Sequence, residues 1–471
     1  MEDKKLSLKD TLSYSVGNLG YGVISQMITS YLVFYTTVIL KMPGSLIGLI
    51  IGLSVFWDGI SDPIMGYISD TSHSKLGRRH FFILIGTFLV SSTNLLLWHI
   101  DVAYALWLKF LIVFVTIILI KTFITIFVTP YSALGAELSS NYQERSMVQA
   151  IKTVFFLSAI ILVTAGGMFI FFRPTARYAN GQLNPEAYRN MAITCSLIMM
   201  TTGLFTYFKT RKFKVVNLSL NIVDKFSLKT FYRKTKFSVQ QRDYRAVFIG
   251  YMFTNLATAI ISTIGLHTYV YTFALNNTEI GIVVGVQFIT SILTQPIWAK
   301  IANKIDKNNA VRLGLKLSIL GCLLLFVTVI FRSHVIEHFQ FLLIYALTIG
   351  FSTSGLFSIP LSMVADTVDQ QEYETGDRNE GIYYGLLTFG YKISQGIAIV
   401  FFGTMLDIIK FNPDLEVQMS STSYLLGTLL AIGSLLTFVL SYLAYSKYTL
   451  NESKVRAIQS QLKVKLNDAL N

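Results

Sequence analysis

Charge is what this chain has least of for its length. Asp, Glu, Lys and Arg together make up 14% of its 471 residues, where soluble domains carry roughly a quarter. Cysteine is nearly absent: Cys195 and Cys322 lie inside apolar stretches, far from any CxxC spacing. That excludes a disulfide scaffold and a cysteine metal site, and both are expected to act as small buried hydrophobes. With 8 prolines and 31 glycines, collagen-like and low-complexity chains are excluded too. No Gly-x-x-x-x-Gly-Lys run, His/Cys metal spacing or nucleophile elbow occurs, so neither an ATP-driven pump nor an enzyme is expected. What is present is apolar: 53% hydrophobic residues, 14% aromatics and a mean hydropathy of +0.55. One or two soluble cores cannot hide that much apolar side chain, so the chain reads as an all-α integral membrane protein.

A spanning helix needs roughly 20 mostly apolar residues. Twelve such runs are predicted, near 11–40, 44–68, 81–99, 104–136, 147–172, 190–208, 246–274, 279–302, 311–331, 338–364, 381–409 and 422–446. Several are longer than a bilayer requires, which implies tilt or extension beyond the lipid. The first run has no small-residue cleavage site behind it and reads as a span, not a removed signal peptide. This divides the chain into a first bundle (1–208), a linker (209–245), a second bundle (246–446) and a tail (447–471). The net charge of +13 is explained by position. With both termini inside, the outer loops hold only Lys41, Arg173, Arg177, Arg189, Arg332 and Lys410, while the linker alone holds eleven basic residues. No nucleic acid is needed to account for it, and the linker is expected to face anionic lipid in the cytoplasm. In the tail, Val455, Ile458, Leu462, Leu466 and Leu470 recur at helical spacing among lysines, predicting an amphipathic helix on the cytoplasmic face.

The two halves repeat. Asp62-Pro63-Ile64 matches Gln295-Pro296-Ile297 and Glu144-Arg145 matches Asp377-Arg378, both at an offset of 233; Pro130-Tyr131-Ser132 matches Pro360-Leu361-Ser362 at 230. Two six-helix bundles running in the same direction form a parallel repeat, as in the major facilitator fold, with a solute site near the midplane. The loop Gly66-Tyr67-Ile68-Ser69-Asp70 followed by Gly77-Arg78-Arg79 resembles that superfamily's Gly-x-x-x-Asp … Gly-Arg-Arg loop. Trp57-Asp58-Gly59-Ile60-Ser61-Asp62-Pro63-Ile64-Met65-Gly66 resembles the Trp-Asp-x-x-x-Asp-Pro-x-x-Gly signature of the glycoside–pentoside–hexuronide:cation symporters, the melibiose permease family. A second block agrees, with Asp366, Asp369, Glu372, Thr375-Gly376, Arg378 and Glu380-Gly381.

Buried carboxylates are costly in a span, about 2.5–3.5 kcal/mol each on insertion scales. Asp58 and Asp62 are four apart and share one helix face, so a cation between them would relieve their repulsion. Pro63 frees the carbonyl of Gly59; with the Ser61 hydroxyl and the carboxylates it offers the hard oxygens an alkali ion takes. An inert cluster near the membrane edge is the plainer alternative. The resemblance implies a cation site at Asp58, Ser61, Asp62 and Thr125, with Lys392 as its charge partner, and coupling to Na⁺, Li⁺ or H⁺ with no other cofactor. Its acidic sugar ligands fall on Gly22 and Val128, which cannot accept a side-chain hydrogen bond, so sugar specificity does not carry over. Candidate pocket residues are Asn18, Tyr21, Gln26, Lys121, Tyr131, Lys152, Asn255 and His267, each with interhelical bonding as the alternative. Lys121 lies one turn before Thr125; with Lys152 and Lys392 it would leave the cavity net positive and favour an anionic solute such as a hexuronide. Snorkelling of Lys121 and Lys152 to the interfaces is the alternative. Asp70, Arg78, Arg79, Glu144, Arg145 and Arg378 are expected in a cytoplasmic gate.

The expected function is cation-coupled symport of a sugar or glycoside by a multi-pass protein of the cell inner (plasma) membrane. It would act as a monomer among lipids, with no protein partner. A carrier of a lysolipid or other amphiphile is the alternative within transport, and would show an apolar strip leading sideways to lipid. A membrane receptor or sensor is the alternative of another class, and would want a large soluble output domain.

Overall fold

A computed structural model describes residues 6–70, 72, 74–138, 142–213, 236–376 and 380–470. The described residues include twelve helices long and apolar enough to cross a membrane. Helix is the form an apolar run takes in lipid because it satisfies its own backbone groups. The first span joins α1 (Leu8–Ser15) and α2 (Gly17–Phe34) to a π turn at Tyr35–Ile39. Then follow α3 (Gly44–Asp70), α4 (His80–Trp98), α5 (Leu106–Glu137), α6 (Tyr142–Ile170) and α7 (Pro185–Thr210). The later helices are α8 (Arg242–His267), α9 (Asn277–Ile305), α10 (Lys307–Ile330), the short α11 (Arg332–Glu337), α12 (Phe341–Thr375), α13 (Glu380–Ile408) and α14 (Ser420–Tyr445). The tail forms α15 (Glu452–Leu470).

Local chemistry sets several ends. Ser7 caps α1 by accepting from the Asp10 N–H, and Asn184 caps α7 from just before Pro185. At its far end α12 is closed by Gly376, whose φ of +75° suits a residue without Cβ. That helix runs about ten residues past the expected end of its span, because the polar stretch after Ala365 is still helical and leaves the lipid as helix. The repeat is visible in the backbone as well. A π turn closes α2 at Tyr35–Ile39 and another closes α8 at Thr268–Thr272, again 233 residues apart. Each is followed by a non-glycine residue at positive φ, Lys41 (56°) and Ala274 (52°).

The chain forms two compact units. The first comprises 1–221 with 275–285 and 399–418; the second comprises 222–274, 286–398 and 419–471. The Asn277 end of α9 and the Ile408 end of α13 thus belong to the first unit. The placing of the α13 end is explained by a very close backbone approach. A Cβ on Gly403 would lie 2.2 Å from the carbonyl oxygen of Gly44, and one on Gly44 equally close to that of Gly403. Here Asp407 accepts the N–H groups of Gly44 (2.8 Å) and Ser45 (2.9 Å), capping α3, and Lys41 pairs with Asp414. In the first unit α2 packs on α6 and α7, α4 on α5 and α7, and α3 on α5. In the second unit α8 packs on α14, α10 on α12 and α14, and α15 on α12.

Candidate cation and solute site

The contact of α3 with α5 carries the chemistry. Asp58 and Asp62 are one turn apart on α3; Lys121 and Thr125 are one turn apart on α5. Lys121 Nζ lies 3.0 Å from Asp58 Oδ2, and the Thr125 hydroxyl donates to Asp62 Oδ1 at 2.7 Å. Both rungs join residues 63 apart in sequence, as two helices running in parallel require. Trp57 Nε1 donates to the Thr122 hydroxyl at 2.7 Å and steadies the same contact. Asp58 is 2% exposed and Thr125 4%. Ser61 is buried beside them, and its hydroxyl oxygen has no hydrogen-bond partner. A buried hydroxyl left unbonded costs stability unless a ligand uses it. Two carboxylates and two hydroxyl oxygens suit a small hard cation.

Lys121 was expected in the solute pocket. Its ammonium is instead bound to Asp58, since a carboxylate this dry needs a compensating charge within reach. Lys152 donates to the Ser132 hydroxyl (3.2 Å) and lies 5.0 Å from the centre of the Tyr131 ring. Asn18 donates to the carbonyl of Lys152, so α2, α5 and α6 bring Asn18, Tyr131 and Lys152 together. Tyr131 itself is fully buried: it stacks on Tyr14 at 4.5 Å, and each hydroxyl donates to the other's carbonyl. Its hydroxyl is thus used in helix packing and not offered to a solute. Tyr21 stacks on Phe156, and Gln26 donates to Ser30 on its own helix. Gly22 faces α6, where a Cβ would come within 2.6 Å of that of Ala159, so no acidic ligand fits at that position.

In the second unit Asn255 donates to the Tyr251 carbonyl one turn back, and His267 is fully buried. Lys392 is half-buried along α13. A feature missed in the sequence lies nearby in the same unit: Thr258, Ser262, Gln287, Ser291 and Thr353, with Phe288 and Phe357, line a recess of about 50 Å³. Its only signal was an amide, Gln287, inside an apolar span.

Of the expected gate, Arg79 is buried and donates to Ser69 Oγ at 2.7 Å, Glu144 accepts the Leu6 N–H at 3.2 Å, and Arg78 is half-buried. Arg378 and the side chains of Asp70 and Arg145 lie outside the described residues.

Twelve apolar helices from a duplicated half, with acidic and basic side chains facing one another inside the span, define a membrane transporter of the major facilitator type and not an enzyme. The chain belongs to the family described as MFS/sugar transport protein, whose model matches residues 13–452. It is 24% identical to the inner membrane symporter YicJ of Escherichia coli (strain K12), over 98% of this chain and 96% of that one. To the sodium-dependent lysophosphatidylcholine symporter 1 of Xenopus tropicalis it is 22% identical, over 96% and 89%. Among solved structures, a bacterial homolog to the human lysosomal transporter Spinster, inward-facing and unoccupied, superposes with a TM-score of 0.66 at 12% identity, covering 97% of both chains. A D-xylose-proton symporter gives 0.61 at 12% identity, covering 90% of this chain and 96% of that one. These likenesses establish the fold.

Proposed function

We propose that the protein is a cation-coupled symporter for a sugar or glycoside, with Asp58, Ser61, Asp62 and Thr125 holding the coupling cation. The observation that carries this reading is the pair of α3–α5 rungs with the unbonded Ser61 hydroxyl beside them, a charged oxygen cluster in a span that lipid alone would penalise. The family description and the symporter named among its relatives support it. Both termini and the 209–245 linker face the cytoplasm of the cell membrane in this reading, on the strength of the basic residues there. Impermeant thiol reagents added outside intact cells should therefore leave a cysteine in that linker unlabelled.

A second reading, transport of a lysolipid, has its own support. An apolar pocket of about 440 Å³ opens beside α10 and α12, lined by Leu324, Val327, Phe331, Phe341 and Ile344 with His334. The relative from Xenopus tropicalis is named for such a solute. Proteoliposomes offered a panel of sugars, uronides and lysophosphatidylcholine under imposed sodium or proton gradients decide between them. Gradient-driven accumulation of a sugar supports the first reading. Accumulation of the lysolipid alone replaces it with the second, and accumulation of nothing under either gradient refutes symport.

A further inference from the structure

A lysine already stands where the site wants an exchangeable cation. The Lys121 ammonium is 3.0 Å from an oxygen of Asp58, whose side chain is 3% exposed. It is held there by the helix that also holds Asp62, one turn on through Thr125, so it is part of the site and not the end of a wandering arm. We propose that Lys121 is a tethered counter-ion that sets the cation selectivity of this site: its ammonium takes the place of an alkali ion beside Asp58 and excludes sodium and lithium. This rests on reading Asp58 and Asp62 as the coupling site, and it departs from the sodium dependence in the name of one relative.

Two physical effects act together. One is charge. Two carboxylates would attract a monovalent ion strongly; with Lys121 in place the three groups sum to a single negative charge. An entering ion would also stand within about 4 Å of the ammonium, a repulsion that weakens binding on the order of a hundredfold even where solvent screens part of it. The other is coordination. A hard cation needs several oxygens at once, and the Asp58 oxygen that faces α5 is committed to an N–H donor. Lys121 is itself 27% exposed along its side chain, so it is not sealed in as its partner is. The pair therefore persists without a second buried cost on the lysine side. Lys121 acts on the cation and contacts no solute in this proposal, which makes it a selectivity residue.

The test needs no solute. The full chain, purified in detergent, is measured for equilibrium binding of radioactive sodium and for sodium- or lithium-specific thermal stabilisation, with choline replacing the alkali ion at constant ionic strength. The unaltered protein should show neither across the millimolar range. Lys121→Gln and Lys121→Met should each gain saturable sodium binding at least about thirtyfold tighter than the unaltered protein. Adding Asp58→Asn to either should remove the gain, and Lys121→Arg should behave as the unaltered chain. Saturable sodium binding by the unaltered protein overturns the proposal, whether or not the variants fold. Failure of both neutral variants to gain binding overturns it as well. Failure of every solute in the panel would refute the symport reading while leaving this result standing. Sodium binding by the unaltered protein would remove the role given to Lys121 and leave symport intact.

Discussion

If Asp58 and Lys121 exist for each other, breaking the pair from one side should cost more than removing it whole. The perturbation is a double-mutant cycle of Asp58→Asn, Lys121→Gln and the two together. At 3.0 Å two unit charges attract by about 5 kcal/mol at an effective dielectric near 20 and by about 1.4 kcal/mol in water. The Asp58 end is buried and the Lys121 end about a quarter exposed, so the coupling should fall between these limits, at about 2–4 kcal/mol. Lys121→Gln should be the worse single change, since it strands a buried carboxylate, whereas Asp58→Asn strands an ammonium that can still turn toward water. The double variant should lose no more stability than Lys121→Gln alone. The assay is thermal unfolding of the purified protein at one scan rate with choline as the only added cation; sodium added afterwards should restore Lys121→Gln and none of the others. Double-variant loss equal to the sum of the singles within about 0.5 kcal/mol would refute the reasoning, because it would mean the two groups do not act as a pair.

Two further outcomes follow from the packing around the site. Thr125→Val removes the hydroxyl that donates to Asp62 at 2.7 Å; a hydrogen bond to a charged group is worth about 1.5–3 kcal/mol, so the dependence of gradient-driven uptake on the coupling cation should shift roughly tenfold to hundredfold, and in Thr125→Ser it should not. Unchanged cation dependence in Thr125→Val would take that hydroxyl out of the site. Gly403→Ala should markedly lower the unfolding temperature, since its Cβ would sit 2.2 Å from the Gly44 carbonyl and push α3 off the Asp407 cap, while Gly385→Ala, with nothing within 4 Å, should be silent. Equal stability of the two would mean that the Gly44 contact yields freely.

Much of the architecture was legible because a bilayer converts length and apolarity directly into helices. The twelve runs, the 233-residue repeat and the amphipathic spacing of the tail all carry a period or a composition that one chain displays by itself. Geometry between helices carries no such period. That Lys121 and Thr125 share a face could be read from their spacing, as could Asp58 and Asp62; that the two faces meet as rungs needs the separation of α3 from α5. For the same reason Tyr131 and Asn255 could be read as pocket polars. Inside a membrane bundle an inward polar residue and one used in packing look alike in sequence, and here the Tyr14 carbonyl takes the Tyr131 hydroxyl and the Tyr251 carbonyl takes the Asn255 amide. The loss of an acidic ligand at Gly22 was plain, but its cause, the close pressing of α6, was not. Ser262 and Gln287 escaped because they lie on different helices, α8 and α9, and only folding gathers them around one recess.

The charge of the solute can be argued anew from these contacts. A simple count of lysines put Lys121, Lys152 and Lys392 in one positive cavity and made Lys121 the group that would meet an anion. With the Lys121 charge taken by Asp58, the four residues Asp58, Asp62, Lys121 and Lys152 sum to no net charge until a coupling cation sits on Asp62. That event leaves the four net positive. The Lys152 ammonium touches neutral groups, the Ser132 hydroxyl and the Tyr131 ring, which position it without neutralising it. An anionic solute would then bind after the cation and against Lys152, which gives coupling a physical order. Lys152→Gln should weaken uptake of an acidic sugar by about tenfold to a hundredfold relative to its neutral analogue, the worth of one charge-assisted hydrogen bond. Lys121→Gln should alter the uptake of both analogues alike, because it acts on the cation. The measurement is paired uptake of a glucuronide and the matching glucoside into proteoliposomes under one imposed gradient. Equal loss of both analogues in Lys152→Gln, or a selective loss of the acidic one in Lys121→Gln, would return the anion to Lys121 and sink the assignment.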